Sequence, residues 1–178
     1  WPLGLKLEAL ADLAVRLGAD VPFCLTGGLA RATGIGELIT PLFTGKQFDL
    51  VIVKPAAGLF TPVVYRAYDA MPHKPENPNM DAVQNALEMG EGKALAAAMG
   101  NALEPPAISL LPEISTCLDA LRAGGALRAQ VTGSGSAVIG FFADAKAAAR
   151  ALAACQTHWE DCWHTRTIDS QKQTSGLK

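Results

Sequence analysis

Apolar positions along the chain follow two periods. Leu5, Leu10, Leu13 and Leu17 recur at helical spacing, which predicts a helix over about Leu7 to Leu17 that stops at Gly18. The continuous apolar run Val21 to Leu25 reads as a short buried strand before Gly27-Gly28, so Asp20 is expected at a helix-to-strand junction. Strand patterns over Leu29 to Thr33 and Leu38 to Leu42 flank Gly34-Ile35-Gly36-Glu37, and the turn-like Thr44-Gly45 marks a domain boundary, giving a first domain of residues 1–45.

The next stretch predicts a strand over Phe48 to Val53 and a helix after Thr61-Pro62, with Thr61 as cap and Pro62 at the first helical position. Two helices across Asp81 to Met99 and one opened by Pro112 follow. After Gly124-Gly125 come a strand over Leu127 to Thr132, a Gly-Ser-Gly-Ser turn, a strand over Ala137 to Phe142, a helix over Ala145 to Cys155 and a strand over Cys162 to Ile168. Without its inserted helices this is β-α-β-β-α-β, the ferredoxin-like split unit, and the fold class is α+β. Residues 46–168 form the second domain. Met71 to Asn79, with three prolines, reads as a surface loop, and the polar stretch 169–178 as a disordered tail. There is no internal repeat, and a chain that begins at Trp1, inside an amphipathic pattern, reads as a fragment.

Composition narrows the partners. The 178 residues are 49% apolar and 18% charged, enough for a substantial core. A net charge of −2 with both signs interspersed leaves no basic stripe for a phosphate backbone, so small ligands are expected rather than nucleic acid. No apolar run approaches the roughly 20 residues of a membrane helix, and the opening residues lack signal-peptide order; the expected location is the cytoplasm, with no membrane partner. Four scattered cysteines imply free thiols. Cys155, His158, Cys162 and His164 carry metal-capable atoms, but their spacing matches no zinc pattern and Trp159 and Trp163 mark the stretch as packing, so no metal site is expected.

Two segments carry candidate chemistry, because each sets polar atoms among residues suited to a core. Asp20 stands before Val-Pro-Phe-Cys-Leu. A carboxylate there is either a base that orients a hydroxyl or a cap on a turn. Thr132-Gly133-Ser134-Gly135-Ser136 joins two apolar strands. Its small residues let backbone amides approach an anion, and a hairpin needs such residues in any case. No Gly-Lys-Ser/Thr follows, which excludes a Walker loop, and the following strand excludes a dinucleotide fingerprint. Tyr65, four residues after Thr61 on one helix face, can stack on a base or pack on the sheet. Lys54-Pro55 ends a strand, where loops often carry ligand contacts.

The order of these motifs is more specific than any one of them. Leu17-Gly-Ala-Asp-Val-Pro-Phe-Cys-Leu, Gly27-Gly28, Gly34-Ile-Gly-Glu37-Leu-Ile-Thr-Pro41-Leu, Lys54-Pro55 with Thr61-Pro-Val-Val-Tyr65, Gly100-Asn-Ala-Leu-Glu104 and Thr132-Gly-Ser-Gly-Ser resemble the GHMP small-molecule kinases, in the branch acting on a cytidine diphosphate-linked methylerythritol. The resemblance implies a GHMP-type fold, with residues 1–45 the end of the amino-terminal nucleotide-binding domain and 46–168 the ferredoxin-like carboxy-terminal domain. It implies transfer of the γ-phosphate of ATP, with Mg2+, to the substrate's 2-hydroxyl in non-mevalonate isoprenoid synthesis. Asp20 then falls on the catalytic aspartate, Tyr65 with Thr61 on the cytidyl-binding residues, and Gly133, Ser134, Gly135 and Ser136 on a glycine-rich wall near the transferred phosphate. The family's partner lysine and main phosphate-cradling loop lie in a part with no counterpart here, so the segment alone is expected to be inactive. A non-catalytic βαββαβ module and a sibling kinase are the alternatives, the first disfavoured by Asp20 and the hairpin before residue 45.

Overall fold

The computed structural model describes residues 4, 6–43 and 46–168. The Thr44-Gly45 turn, Leu5, Trp1 and the 169–178 tail lie outside them. The chain divides into two compact units, one holding the residues up to Lys46 together with Ile168, the other Gln47–Thr167.

The first unit opens with α1 (Leu7–Leu17), which closes when the Gly18 N–H reaches Ala14 O at 3.2 Å. The expected strand at Val21 is instead a second helix, α2 (Val21–Thr26), so Asp20 sits between two helices. Pro22 explains the difference: it lacks an N–H, its fixed φ suits a first helical turn, and it is the buried residue of the helix. A five-residue apolar run has too few positions for its period to distinguish the two structures. β1 (Leu29–Thr33) and β2 (Leu38–Leu42) then pair antiparallel, from Leu29 opposite Leu42 to Thr33 opposite Leu38.

The second unit is built on a four-stranded antiparallel sheet of β3 (Asp49–Val53), β4 (Arg128–Val131), β5 (Val138–Phe142) and β6 (Cys162–Arg166), in spatial order β4-β5-β3-β6. With β3 and β4 parallel and β5 between them, this is the ferredoxin-like arrangement. The inserted segment holds α3 (Thr61–Asp69), α4 (Met80–Met89), α5 (Gly92–Ala98), α6 (Glu104–Leu110) and α7 (Glu113–Ala123); α8 (Ala145–Cys155) joins β5 to β6. Helix α6 is not among the expected elements. Pro105 and Pro106 both lie in its first turn, where no backbone donor is needed. Thr61 is not a cap either. Phe60 precedes the helix, no side chain caps it, and the Thr61 hydroxyl is engaged elsewhere.

Helices α7 and α8 cover one sheet face. Val51, Val53, Val131, Val138 and Phe142 meet Ile114, Leu118, Leu121, Ala148 and Ala151 there, all nearly or fully buried. A smaller cluster of Phe48, Ala86 and Leu95 seats α4 and α5, with Phe48 edge-on to Phe141. Caps come from Asn79, which accepts from Asp81 and Ala82 N–H, and from Asp144, which accepts from Ala147 N–H at 2.8 Å. No helix among the described residues is long and apolar enough to cross a membrane.

Candidate functional site

In the first unit, Asp20 occupies the N-cap position of α2 with helical backbone angles, and its side chain makes no cap bond. A capping carboxylate needs an extended backbone to reach the N–H groups two and three residues after it; Asp20 lacks that geometry and is exposed. The tip of the β1–β2 hairpin comes close: a Cβ added to Gly36 would stand 3.4 Å from Ala19 O and 3.5 Å from Asp20 Oδ1. Gly36 also has φ +116°, which side-chain-bearing residues rarely adopt. Glu37 folds back on its own turn, its Oε2 accepting from Ile35 N–H at 2.7 Å, whereas the Asp20 carboxylate makes no hydrogen bond among the described residues.

In the second unit, the glycine-rich turn connects β4 to β5. Thr132 N–H donates to Ala137 O and Gly135 N–H to Thr132 O, each at 3.0 Å. The N–H groups of Gly133 and Ser134 make no hydrogen bond among the described residues. A Cβ on Gly135 would come within 3.5 Å of Val131, Leu59 and Ile114, so the turn is pressed against the core. Ser136 is buried, and its hydroxyl donates to Ala57 O at 2.7 Å. Ser134 and Thr61 share a hydroxyl-to-hydroxyl bond of 2.8 Å, which fastens the turn to the start of α3. Tyr65, on the same helix face as Thr61, is half exposed rather than packed on the sheet.

Two further side chains hold this turn. Asn101 Nδ2 donates to Val131 O and Gly133 O, and Glu104 Oε2 accepts from Val131 N–H at 2.8 Å. The Asn-x-x-Glu spacing ahead of α6 was the available signal, since it has the form of a helix-start box. Lys54 is taken up structurally, with Nζ 3.8 Å from Asp161 Oδ2 and 3.4 Å from Pro55 O.

The cysteine and histidine cluster of the sequence is dispersed. Cys155 and Cys162 lie in the core with Cys117, and all four thiols of the chain are free. Burial pushes Cys117 up to about 12 and Cys162 up to about 11, and raises Cys155. His158 bonds Thr157, while His164 Nε2 meets Asp49 Oδ1 at 3.0 Å. Asp49 is buried; burial alone would raise its carboxyl, but the bonds from His164 and Arg166 outweigh it and hold the group below its ordinary value.

Comparison with known proteins adds the following. The family described as GHMP kinases C terminal matches residues 79–161. The chain is 43% identical over 151 residues to a 4-diphosphocytidyl-2-C-methyl-D-erythritol kinase of Streptomyces coelicolor, covering 83% of this chain and 50% of the relative. A crystal structure of 4-(cytidine 5'-diphospho)-2C-methyl-D-erythritol kinase superposes with a TM-score of 0.77 at 34% identity, over 93% of this chain and 58% of that one. Homoserine kinase from Cytophaga hutchinsonii superposes at 0.72 with 15% identity over 94% of this chain and 59% of its own, which is likeness of fold alone. The chain thus spans about half the length of the curated relatives it matches.

Proposed function

The chain belongs to the GHMP kinases, in the branch of the 4-diphosphocytidyl-2-C-methyl-D-erythritol kinases, and from that premise we propose that its residues serve transfer of the γ-phosphate of ATP to the 2-hydroxyl of that cytidyl substrate. The observation that carries the reading is the 43% identity to the Streptomyces relative, against 15% to the homoserine kinase of the same fold. The Asp20 carboxylate, unspent on its own helix, takes or orients the hydroxyl proton as the oxygen attacks phosphorus and ADP leaves. The free amides of Gly133 and Ser134 offer donors to the phosphate, and the exposed Tyr65 ring offers a stacking surface to cytosine. Residues 1–45 act as the end of the nucleotide-binding domain and 46–168 as the carboxy-terminal domain. The magnesium that accompanies ATP finds no group of three or more His, Cys, Asp or Glu among the described residues, so no residue here is assigned to it.

The test is phosphoryl transfer from ATP to the cytidyl substrate by the full-length protein carrying this sequence, with Asp20→Asn beside it. The amide keeps the shape and loses the base, so turnover should fall by roughly 10²–10⁴-fold with substrate affinity nearly intact. Turnover of the variant within tenfold of wild type would remove Asp20 from the reaction.

A further inference from the structure

A glycine-rich turn can serve an anion only if its peptide groups point the right way, since each presents an attractive N–H at one end and a repulsive C=O at the other. The sequence of this turn does not fix that choice, because Gly133 and Gly135 both have positive φ and are free to turn either way. The choice is made from outside. Asn101, just ahead of α6, donates one amide nitrogen to two carbonyl oxygens, Val131 O at 2.9 Å and Gly133 O at 2.8 Å. Its own oxygen accepts from Leu103 N–H at 2.9 Å, which settles the amide's orientation: the nitrogen faces the turn. Glu104 Oε2 then takes Val131 N–H at 2.8 Å, so both polar groups of Val131 are bound from one short segment. With those carbonyls held, and the Thr132 and Gly135 amides spent within the turn, the N–H groups of Gly133 and Ser134 at its tip are among the donors that make no hydrogen bond among the described residues.

We propose that Asn101 is the positioning residue of the glycine-rich turn: by binding the Val131 and Gly133 carbonyls it fixes which turn amides face a phosphate. This rests on the kinase reading above for the ligand, though not for the hold on the turn. Asn101 touches no reacting atom; its effect passes through the backbone it binds.

The experiment compares wild type with Asn101→Asp and Asn101→Ala in the full-length protein, reading kcat and KM alongside amide exchange of the turn. Asn101→Asp has the same shape and can still accept from Leu103, but it sets an oxygen against two carbonyl oxygens. It should lower kcat by about 100-fold, the scale of a misplaced catalytic group, while KM for the cytidyl substrate stays within about threefold. The Thr132 and Gly135 amides should exchange at least about tenfold faster, with β3 as protected as before. Should Asn101→Asp fail to fold, Asn101→Ala decides, with a kcat loss of about tenfold and the same confined exchange expected. Turn amides that exchange as in wild type, or a kcat for both variants within about threefold of wild type, would overturn the proposal. A wild-type protein inactive on the cytidyl substrate would instead sink the kinase reading, and the exchange arm would still decide the hold on the turn.

Discussion

Tyr65 stands half exposed one helical turn beyond Thr61, whose hydroxyl is bonded to Ser134, so ring and turn are linked by a single rigid helix. If the ring stacks on cytosine, Tyr65→Ala should weaken the cytidyl substrate by roughly 1–3 kcal/mol and leave ATP unchanged. Titration calorimetry with each ligand measures the difference, and equal losses would return Tyr65 to a packing role. At this scale the sequence is informative about residue type and silent about partners. Asp20, Thr61 and Ser134 stand out as polar groups among apolar ones, but nothing local says that Thr61 bonds a serine from a distant turn. Asn101 is harder still to see, since its partners are backbone carbonyls that any sequence would supply.

Helix α8 depends on Asp144, whose carboxylate accepts the Ala147 N–H from an extended backbone, the geometry Asp20 lacks. Asp144→Ala should therefore cost about 1 kcal/mol of stability, and urea unfolding followed by tryptophan fluorescence should show the midpoint fall at constant slope. A midpoint unchanged within error would mean that packing alone holds the helix start. Helices α1 and α8, eleven residues each, have enough periodic positions to be legible, and β1 and β2 run where the glycine-rich turn between them puts them. The pieces not legible as helices are α2, which reads as a strand, and α6, which is not among the expected elements, of six and seven residues. Each is shorter than two helical turns, so its period is too short to read. What makes them helices is proline in the first turn, where its missing donor costs nothing.

Taken whole, the second unit is bounded in pH by its buried ionisable groups. A thiol held near 12 at Cys117, or near 11 at Cys162, stays protonated while the unfolded chain, near 9.0, has lost its proton. Above pH 9 the unfolded state thus binds fewer protons, and stability should fall by up to about 1.4 kcal/mol per pH unit for each thiol until its folded value is reached. Asp49 has the opposite sign: its lowered value adds stability above pH 3.8, lost as acid protonates the folded carboxylate. Urea midpoints at pH 8 and 10, for wild type and Cys117→Ala, test the alkaline side; the variant should show the shallower decline, and equal slopes would exclude the thiol as the cause.

The position of β3 has a consequence during synthesis. It is the first strand of its sheet to be made and lies between β5 and β6, which are made last. At about 5–20 residues per second, Asp49-Leu-Val-Ile-Val stays for several seconds with both edges bare, the kind of apolar strand that neighbouring chains recruit into aggregates. Asp49 is the only charge in that strand, and the guanidinium that neutralises it in the fold comes from Arg166, made more than a hundred residues later. A lone charge on a nascent apolar strand acts as a gatekeeper. The carboxylate that ends buried against Arg166 is thus expected first to hinder the strand that bears it from pairing with another copy.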